Sequence, residues 1–235
     1  MINIKIDALT NSIQDRLTGD VFETDIFEVT FDEIVNLEGW NFNWQREFSQ
    51  YKVYKIVLRT DPTIIQGLIS ITVRKGFVYA SLMESAPFNF GKNKKYVGVA
   101  GNLIAYACKV SFEIGFEGYV NFIAKSALIE HYKFTLNATV ISGQNMMIET
   151  QSAENLVKDI LKILNSIKMG MVKTCAEPEF LLPIDIDLVI QSGSINEENE
   201  RLVLDFIKKS KANRRRRQRY AEKQQLLNLS TPSVF

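Results

Sequence analysis

The sequence is poor in the residues that build metal centres, disulfides and Cys/His nucleophiles. It contains two cysteines, Cys108 and Cys175, and a single histidine, His131, in 235 residues. The cysteines lack metal-site spacing, so we expect both to be reduced, packed thiols and predict no bound metal. A zinc site or a Cys/His nucleophile is equally disfavoured. His131 is therefore expected to be a structural or surface residue.

Long apolar runs are also missing. No run approaches the ~18–20 residues that a membrane-spanning helix needs. The first residues, MINIKIDALTNSIQDR, lack the charged-then-apolar layout of a signal peptide. The composition is 46% hydrophobic and 23% charged, which is ordinary for a globular protein. We therefore expect a cytoplasmic protein with no membrane partner.

Charge is unevenly distributed along the chain. The net charge is +1, yet residues 208–223 contain nine Lys or Arg and one Glu, a local balance of +8. The rest of the chain is then mildly acidic. This basic tail is compatible with a solvated, frayed helix, with a nucleic-acid contact, or with docking to an acidic partner protein. The sequence leaves these three interpretations open.

The middle of the chain predicts a sheet followed by a helix. Three segments rich in β-formers predict an antiparallel meander, and they span Tyr51–Arg59, Ile65–Arg74 and Phe77–Glu84. After an intervening helix comes the apolar strand Gly118–Lys125, which is expected to run parallel to Phe77–Glu84.

Flanking elements are predicted with less support from periodicity. Short helices are expected over residues 8–17 and 127–135, the second with Ser126 as its N-cap. A hairpin is expected around Gly143-Gln144. An amphipathic helix is predicted over residues 153–167. A long helix is predicted from Glu197 to about Leu227, amphipathic in its early part and polar all round in its later part.

The central feature is the stretch Lys95–Gly115, a small-residue loop that leads directly into a helix. Such a helix start offers several backbone N–H groups and the positive end of the helix dipole. This arrangement favours binding of an anion, most often a phosphate. The loop lacks both the Gly-Lys-Ser/Thr ending of a P-loop and the third glycine of a dinucleotide fingerprint.

The motif Lys95-x-x-Gly98-x-Ala100 resembles the Gln/Arg-x-x-Gly-x-Gly/Ala pyrophosphate loop of the GNAT family of N-acetyltransferases. Lysine here replaces the family's Gln or Arg and keeps the positive charge. The order of elements over residues 51–149 is also similar to that family. The resemblance implies an α/β fold with a mixed, largely antiparallel central sheet, a splayed parallel strand pair and flanking helices. Residues 1–168 would form this domain, and residues 169–235 a helical C-terminal extension with the basic tail.

The resemblance also implies a site for acetyl-CoA as co-substrate. In the family, the strand before the loop bulges, and its backbone binds the pantetheine arm. The residues implied to contact the coenzyme are Met83, Ser85, Lys95, Gly98, Val99, Ala100, Gly101 and Asn102.

Two side chains are implied to be catalytic. Tyr132 lies where family members often protonate the leaving thiolate, and Glu84 lies at a strand end from which a carboxylate acts as general base. The alternatives are a core aromatic at Tyr132, and an exposed edge charge or an anchor for the substrate amine at Glu84.

The resulting expectation is an enzyme that transfers an acetyl group from acetyl-CoA to an amine in a ternary complex. The alternative is a non-catalytic acyl-CoA-binding module that binds RNA or a protein through its basic tail. The amine could belong to a small molecule or to a protein, and the sequence does not indicate which. A homodimer formed through an edge strand or the C-terminal helix is compatible with the sequence.

Overall fold

The computed structural model describes residues 11–158, 189–190 and 195–230. The chain divides into two compact units, Met1–Ser194 and Ile195–Phe235. The domain boundary predicted at residues 168/169 lies outside the described residues and stays a prediction. The helix predicted over residues 153–167 is described only in part, as helical residues 150–158.

The first unit is built on a mixed sheet, and its described part has the strand order β6-β1-β2-β3-β4-β5-β7-β9-β8. The β5–β7 pair is parallel, and the other described pairs in this sheet are antiparallel. The predicted fold class is thereby confirmed. The strands are β1 Asn11–Asp15, β2 Val21–Glu28, β3 Lys52–Leu58, β4 Asp61–Arg74, β5 Phe77–Ser85, β6 Tyr96–Val97, β7 Val120–Ile123, β8 Thr139–Ser142 and β9 Asn145–Ile148.

Helices cover both faces of the sheet. Neighbouring residues of β4 show this directly, since Leu68 packs in a cluster with Ile34 and Trp44, whereas Ile69 packs in a cluster with Leu103. The strand interior is consequently buried on both sides, which explains its near-continuous apolar sequence. The helices are α1 Phe31–Val35, α2 Trp44–Phe48, α3 Val99–Glu113, α4 Ile129–Leu136 and α5, residues 150–158, with short 3₁₀ segments at Pro87–Asn89 and Ser126–Leu128.

Two local predictions were wrong. The short helix expected over residues 8–17 is in its described part the strand β1, because antiparallel pairing with β2 overrides the weak local helix preference. Ser126 is not the N-cap of α4, which begins after Leu128. The Ser126 hydroxyl instead accepts a hydrogen bond from the side-chain amide of Gln144.

The second unit contains the helix α6, Glu197–Ser230, in agreement with the helix predicted from Glu197. Its first turn carries Glu197, Glu198 and Glu200, whose negative charges favour a helix N-terminus. Across the described ranges, the structure contains no helix of the length and apolar character that a membrane span requires.

Candidate active site

A β-bulge in β5 sets the geometry of the candidate site. Ser70 on β4 lies opposite Leu82, and the next residue, Ile71, lies opposite Ala80, so that Ser81 is the extra residue. The bulge changes which face of the sheet each later side chain of β5 occupies. As a result Met83 packs on the α3 side of the sheet, while Leu82 packs on the side of α1 and α2.

The parallel pairing of β5 with β7 is short. It joins Val78–Ala80 to Val120–Phe122, and β5 continues to Ser85 while remaining paired with β4. The two strands therefore part just after the bulge. The space between residues 81–85 of β5 and the end of β7 is termed the strand wedge. It corresponds to the splayed strand pair that the family resemblance implies.

The strand wedge contains Ile190, from a later segment of the same chain. The amide of Met83 donates a hydrogen bond to the carbonyl oxygen of Ile190 over 3.1 Å. Ile190 also forms antiparallel bridges with Met83 on one side and with Ala124 on the other. Its side chain is fully buried.

Tyr132, on α4, also contacts the segment in the strand wedge. Its ring is buried and packs edge-on against Phe122, with ring centroids 5.2 Å apart. Its hydroxyl donates a hydrogen bond to the carbonyl oxygen of Val189. Burial raises the pKa of Tyr132 well above the usual range of a phenol. The hydroxyl therefore keeps its proton at neutral pH and acts as a hydrogen-bond donor.

Glu84 lies on the opposite side of β5 and is fully buried, which excludes the exposed edge charge considered from the sequence. Its Oε1 accepts hydrogen bonds from the backbone N–H and the side-chain Nδ2 of Asn41, both at 2.8 Å. Its Oε2 accepts one from Nε1 of Trp44 at 2.9 Å. A carboxylate offers about four acceptor sites, so one remains beyond these three bonds. The carboxylate fixes the segment between α1 and α2 onto β5.

The loop before α3 has the geometry expected of an anion site. Gly98 has φ of 91°, a left-handed conformation that favours glycine, and it is the N-cap of α3. Both the backbone N–H and Nδ2 of Asn102 donate to the carbonyl oxygen of Gly98. The amides of Val99, Ala100 and Gly101 precede Asn102 in the first turn, where helix geometry provides no intrahelical acceptor.

Gly67 allows the loop and the end of β5 to approach each other. A Cβ at this position would lie 2.7 Å from Cγ1 of Val99 and 3.2 Å from the carbonyl oxygen of Glu84. The start of α3 therefore contacts the strand end through a position where only glycine fits without displacement of a neighbour. Ser85, the last residue of β5, pairs with Gly67 and is buried.

Lys95 lies just before this loop. Its side chain is exposed, and Nζ lies 5.0 Å from the centre of the Tyr96 ring. Backbone amides of Thr18 and Leu17, with a smaller contribution from Lys95, lower the pKa of Asp15 below its usual range. Lys95 therefore adds positive charge beside the entrance of α3.

An open groove lies on the Glu84 side of the sheet. It is bordered by α1, the segment after α1, the start of β4 and residues 86–88. Asp32 and Glu38 are exposed acidic residues in its lining, and Trp40 contributes an aromatic ring that packs edge-on against Trp44. This set of residues is termed the acidic groove.

The structure thus brings together most of the predicted residues but separates the two proposed catalytic ones. Met83 and Tyr132 meet at the strand wedge through Val189 and Ile190, whereas the Glu84 side chain contacts Asn41 and Trp44. His131 is half-buried, and burial, with a smaller effect of Lys94, lowers its pKa. Among the described residues, no cluster of His, Cys, Asp or Glu is arranged to hold a metal ion.

Sequence reasoning missed four residues: Gly67, Asn41, Trp44 and Ile190. The aromatic-rich segment Trp40–Phe48, WNFNWQREF, indicates packing over the core, but nothing in it indicates a contact with Glu84. Gly67 interrupts an alternating strand pattern, which is a signal for a close backbone approach. Nothing local distinguishes Ile190.

No family model and no curated protein matches the chain. Solved structures give a distant likeness. A crystal structure of AtaTR bound with acetyl-CoA is 14% identical, with a TM-score of 0.40, over 57% of this chain and 97% of its own. A structure of a Tyr-to-Phe mutant of the AtaT toxin, bound to the C-terminus of the antitoxin AtaR, is 12% identical, with a TM-score of 0.39, over the same shares. A likeness this distant carries no argument about what this chain binds.

Proposed function

We propose that the chain is an N-acetyltransferase that moves an acetyl group from acetyl-CoA to an amine. The observation that carries the proposal is the bulged strand β5, which parts from β7 beside the glycine-led start of α3. A bulge that frees backbone groups of one strand provides a surface on which an extended ligand can form main-chain hydrogen bonds. A helix entrance next to it provides amides for phosphate groups.

The proposed coenzyme site combines these two features. The first-turn amides of α3 at Val99, Ala100 and Gly101 would bind the pyrophosphate, with Gly98 and Asn102 shaping the turn and Lys95 adding positive charge. The Met83 amide at the wedge, followed by Ser85 at the strand end, would bind the acyl arm. Acetyl-CoA, when bound, supplies the activated acyl group.

The proposed proton donor is Tyr132. Its buried hydroxyl is protonated at neutral pH and is held at the strand wedge. A phenol is a suitable partner for a thiolate leaving group because it can deliver its proton where negative charge develops. A cationic amine loses one proton before its nitrogen attacks the thioester carbonyl and a second as the C–N bond replaces the C–S bond. The remaining acceptor site of Glu84 would receive each proton through a water molecule and pass it on, one to solvent and one to restore the Tyr132 hydroxyl.

The acidic groove supports an amine as the acceptor. Free amines are cationic at neutral pH, and the exposed carboxylates of Asp32 and Glu38 would attract them. Glu84 of β5 accepts hydrogen bonds from Asn41, the neighbour of the groove residue Trp40. The proposed acceptor is therefore an amine-bearing small molecule or protein with positive charge.

The test is release of free CoA thiol from acetyl-CoA in the presence of a panel of amines. We expect amine-dependent release by the wild type, and a kcat lower by about 100-fold or more in Tyr132→Phe. The matched control is Tyr106→Phe, which removes a partly buried hydroxyl from the middle of α3. If Tyr132→Phe retains full turnover, its role as acid is wrong. If no amine supports release, the enzymatic proposal fails.

A second candidate function rests on α6. Four exposed cations lie 7, 4 and 4 residues apart and therefore share one side of the helix, termed the basic face: Lys208, Arg215, Arg219 and Lys223. They extend over about 22 Å at 1.5 Å per residue. Such a row of cations would contact successive phosphates of a nucleic acid. The chain would then be an acyl-CoA-binding module that attaches to RNA, with an acidic protein as the competing partner.

Anisotropy of a labelled RNA duplex, measured over a range of salt concentrations, tests this second candidate. Replacement of Arg215 and Arg219 by Gln should reduce the slope of log K against log salt by about two. Arg217→Gln, an exposed cation on the opposite side of the same helix, should leave the slope unchanged. Absence of salt-dependent binding by the wild type would contradict RNA binding.

A further inference from the structure

The strand wedge is occupied by the main chain of Val189 and Ile190. Two consecutive carbonyl groups of this dipeptide accept hydrogen bonds, one from the Tyr132 hydroxyl and the next from the Met83 amide. These are the two donors that the proposed mechanism assigns to the acyl-CoA. The dipeptide therefore uses the same groups that the coenzyme would need.

The contacts on both sides of the dipeptide are those of an added strand. Ile190 bridges Met83 of β5 and Ala124, just after β7, in antiparallel orientation, so that it spans the gap where the two strands have parted. The side chains of Val189 and Ile190 are 4% and 0% exposed. Main-chain hydrogen bonds, together with pockets that bury side chains, are how a sheet recognises an extended peptide.

Covalent connection strengthens this occupancy. A segment of the same chain competes at a high effective concentration, whereas a free ligand must compete through its own concentration. If the wedge is open in about 1% of molecules, the apparent Kd of a ligand for it is raised about 100-fold. The dipeptide is therefore expected to control access to the wedge.

We propose that the strand wedge is a binding site for an extended peptide main chain, and that the chain's own Val189–Ile190 segment occupies it in competition with the acyl arm of acetyl-CoA. This inference rests on the proposed function, because it assumes that the coenzyme enters the same wedge. Binding of acetyl-CoA then requires release of the Ile190 carbonyl from Met83 and of the Val189 carbonyl from Tyr132. The segment acts as an internal competitive inhibitor.

A disulfide between Ala124→Cys and Ile190→Cys tests the competition directly. Residues opposite each other in an antiparallel pair lie about 4.5–5.5 Å apart at Cα, within the range that a disulfide spans. A Cys175→Ser background removes one native thiol. The other, Cys108, is buried, and burial raises its pKa, so that it reacts slowly. Acetyl-CoA binding is measured by calorimetry before and after reduction, with the two single-cysteine variants as controls.

We expect no acetyl-CoA binding in the oxidised double variant and restored binding after reduction. Unchanged binding in a fully oxidised sample would overturn the competition while leaving the proposed function intact. Failure of the disulfide to form would contradict the bridge itself. If the wild type, the reduced double variant and the single variants all fail to bind acetyl-CoA, both the competition and the proposed function fail.

A second variant weakens the occupant rather than fixing it. Val189→Gly combined with Ile190→Gly removes the two buried side chains but keeps the backbone, and we expect acetyl-CoA to bind about 10-fold more tightly. The matched control is Val53→Gly with Ile34→Gly, which removes two buried side chains away from the wedge. This control should not bind acetyl-CoA more tightly than the wild type. Equal or weaker binding by a folded Val189/Ile190 variant would contradict the proposal.

Discussion

The Glu84 carboxylate accepts a hydrogen bond from the indole Nε1 of Trp44 at 2.9 Å, across 40 positions of sequence. In Glu84→Gln, an amide NH₂ must replace one carboxylate oxygen and face either Trp44 or the donors of Asn41. At least one of these donors is then left without an acceptor, and the free energy of unfolding should fall by about 1–3 kcal/mol. Urea denaturation measures this change.

Trp44→Phe separates the positioning role of Glu84 from its proposed role as base. This variant removes the indole donor and keeps the carboxylate. If Glu84 is the base, Glu84→Gln should lose turnover while Trp44→Phe retains a substantial part of it. Equal loss in both variants would show that Glu84 acts only by holding the segment between α1 and α2.

Gly67→Ala should loosen the contact between α3 and the end of β5. The added methyl would lie 2.7 Å from Cγ1 of Val99, closer than packed carbons tolerate. Overpacking of this kind costs about 1–3 kcal/mol of unfolding free energy. The double variant Gly67→Ala/Val99→Ala removes the nearest contact and should recover part of the loss in the same assay. A single variant as stable as the wild type would contradict the close approach.

The acidic groove should control the affinity for the amine. Asp32→Asn with Glu38→Gln removes two exposed carboxylates from its lining. We expect KM for a cationic amine to rise about 10-fold at low salt, with a smaller change at high salt, because exposed charges are screened. Asp20→Asn, an exposed acid in the turn between β1 and β2, is the control. An equal effect of Asp20→Asn would indicate long-range charge rather than a site.

Alkaline pH should destabilise the fold through its buried tyrosines. Burial raises the pKa of Tyr79, Tyr106 and Tyr132, so that the folded state holds these protons more tightly than the unfolded state does. The stabilising contribution is complete below the ordinary phenol pKa of about 10 and is lost as the pH rises above it. The loss approaches about 1.4 kcal/mol per pH unit for each tyrosine.

Urea titrations at pH 8, 10 and 11 measure this loss. Tyr132→Phe should reduce the slope of the unfolding free energy against pH by the contribution of one titrating proton. Tyr220→Phe, whose ring is exposed on α6, should leave that slope unchanged. A decline of the same slope in Tyr132→Phe would show that its hydroxyl does not titrate differently in the folded state.

Local patterns predicted the parts of the fold that local interactions decide. The meander follows from runs of β-forming residues, and the turn between its last two strands contains Gly76, whose φ is 84°. The start of α3 follows from Gly98. The strand β1 was mistaken for a helix because its stability depends on pairing with β2, which no local pattern reports.

The candidate site was predictable only where it is local. Val99, Ala100 and Gly101 follow from the loop motif, and Met83 from its place in the strand before it. The bulge at Ser81 leaves no trace in the sequence, because the strand is buried on both faces and no polar–apolar alternation exists to be broken. The contacts of Glu84 with Trp44 and of Met83 with Ile190 join residues 40 or more positions apart, which only the folded chain brings together.

The most direct test of the proposed function is calorimetric titration of acetyl-CoA into the wild type and into two glycine variants. Gly98→Ala and Gly115→Ala both replace a glycine of positive φ, one before the first turn of α3 and one just after its end. Each should cost about 1–2 kcal/mol of stability, but only Gly98→Ala should weaken binding. Saturable binding by the wild type, at least 10-fold weaker in Gly98→Ala and unchanged in Gly115→Ala, is the predicted result. Equal affinities in all three proteins would contradict a coenzyme site at this loop. So would the absence of acetyl-CoA binding by both the folded wild type and the folded Val189→Gly/Ile190→Gly variant.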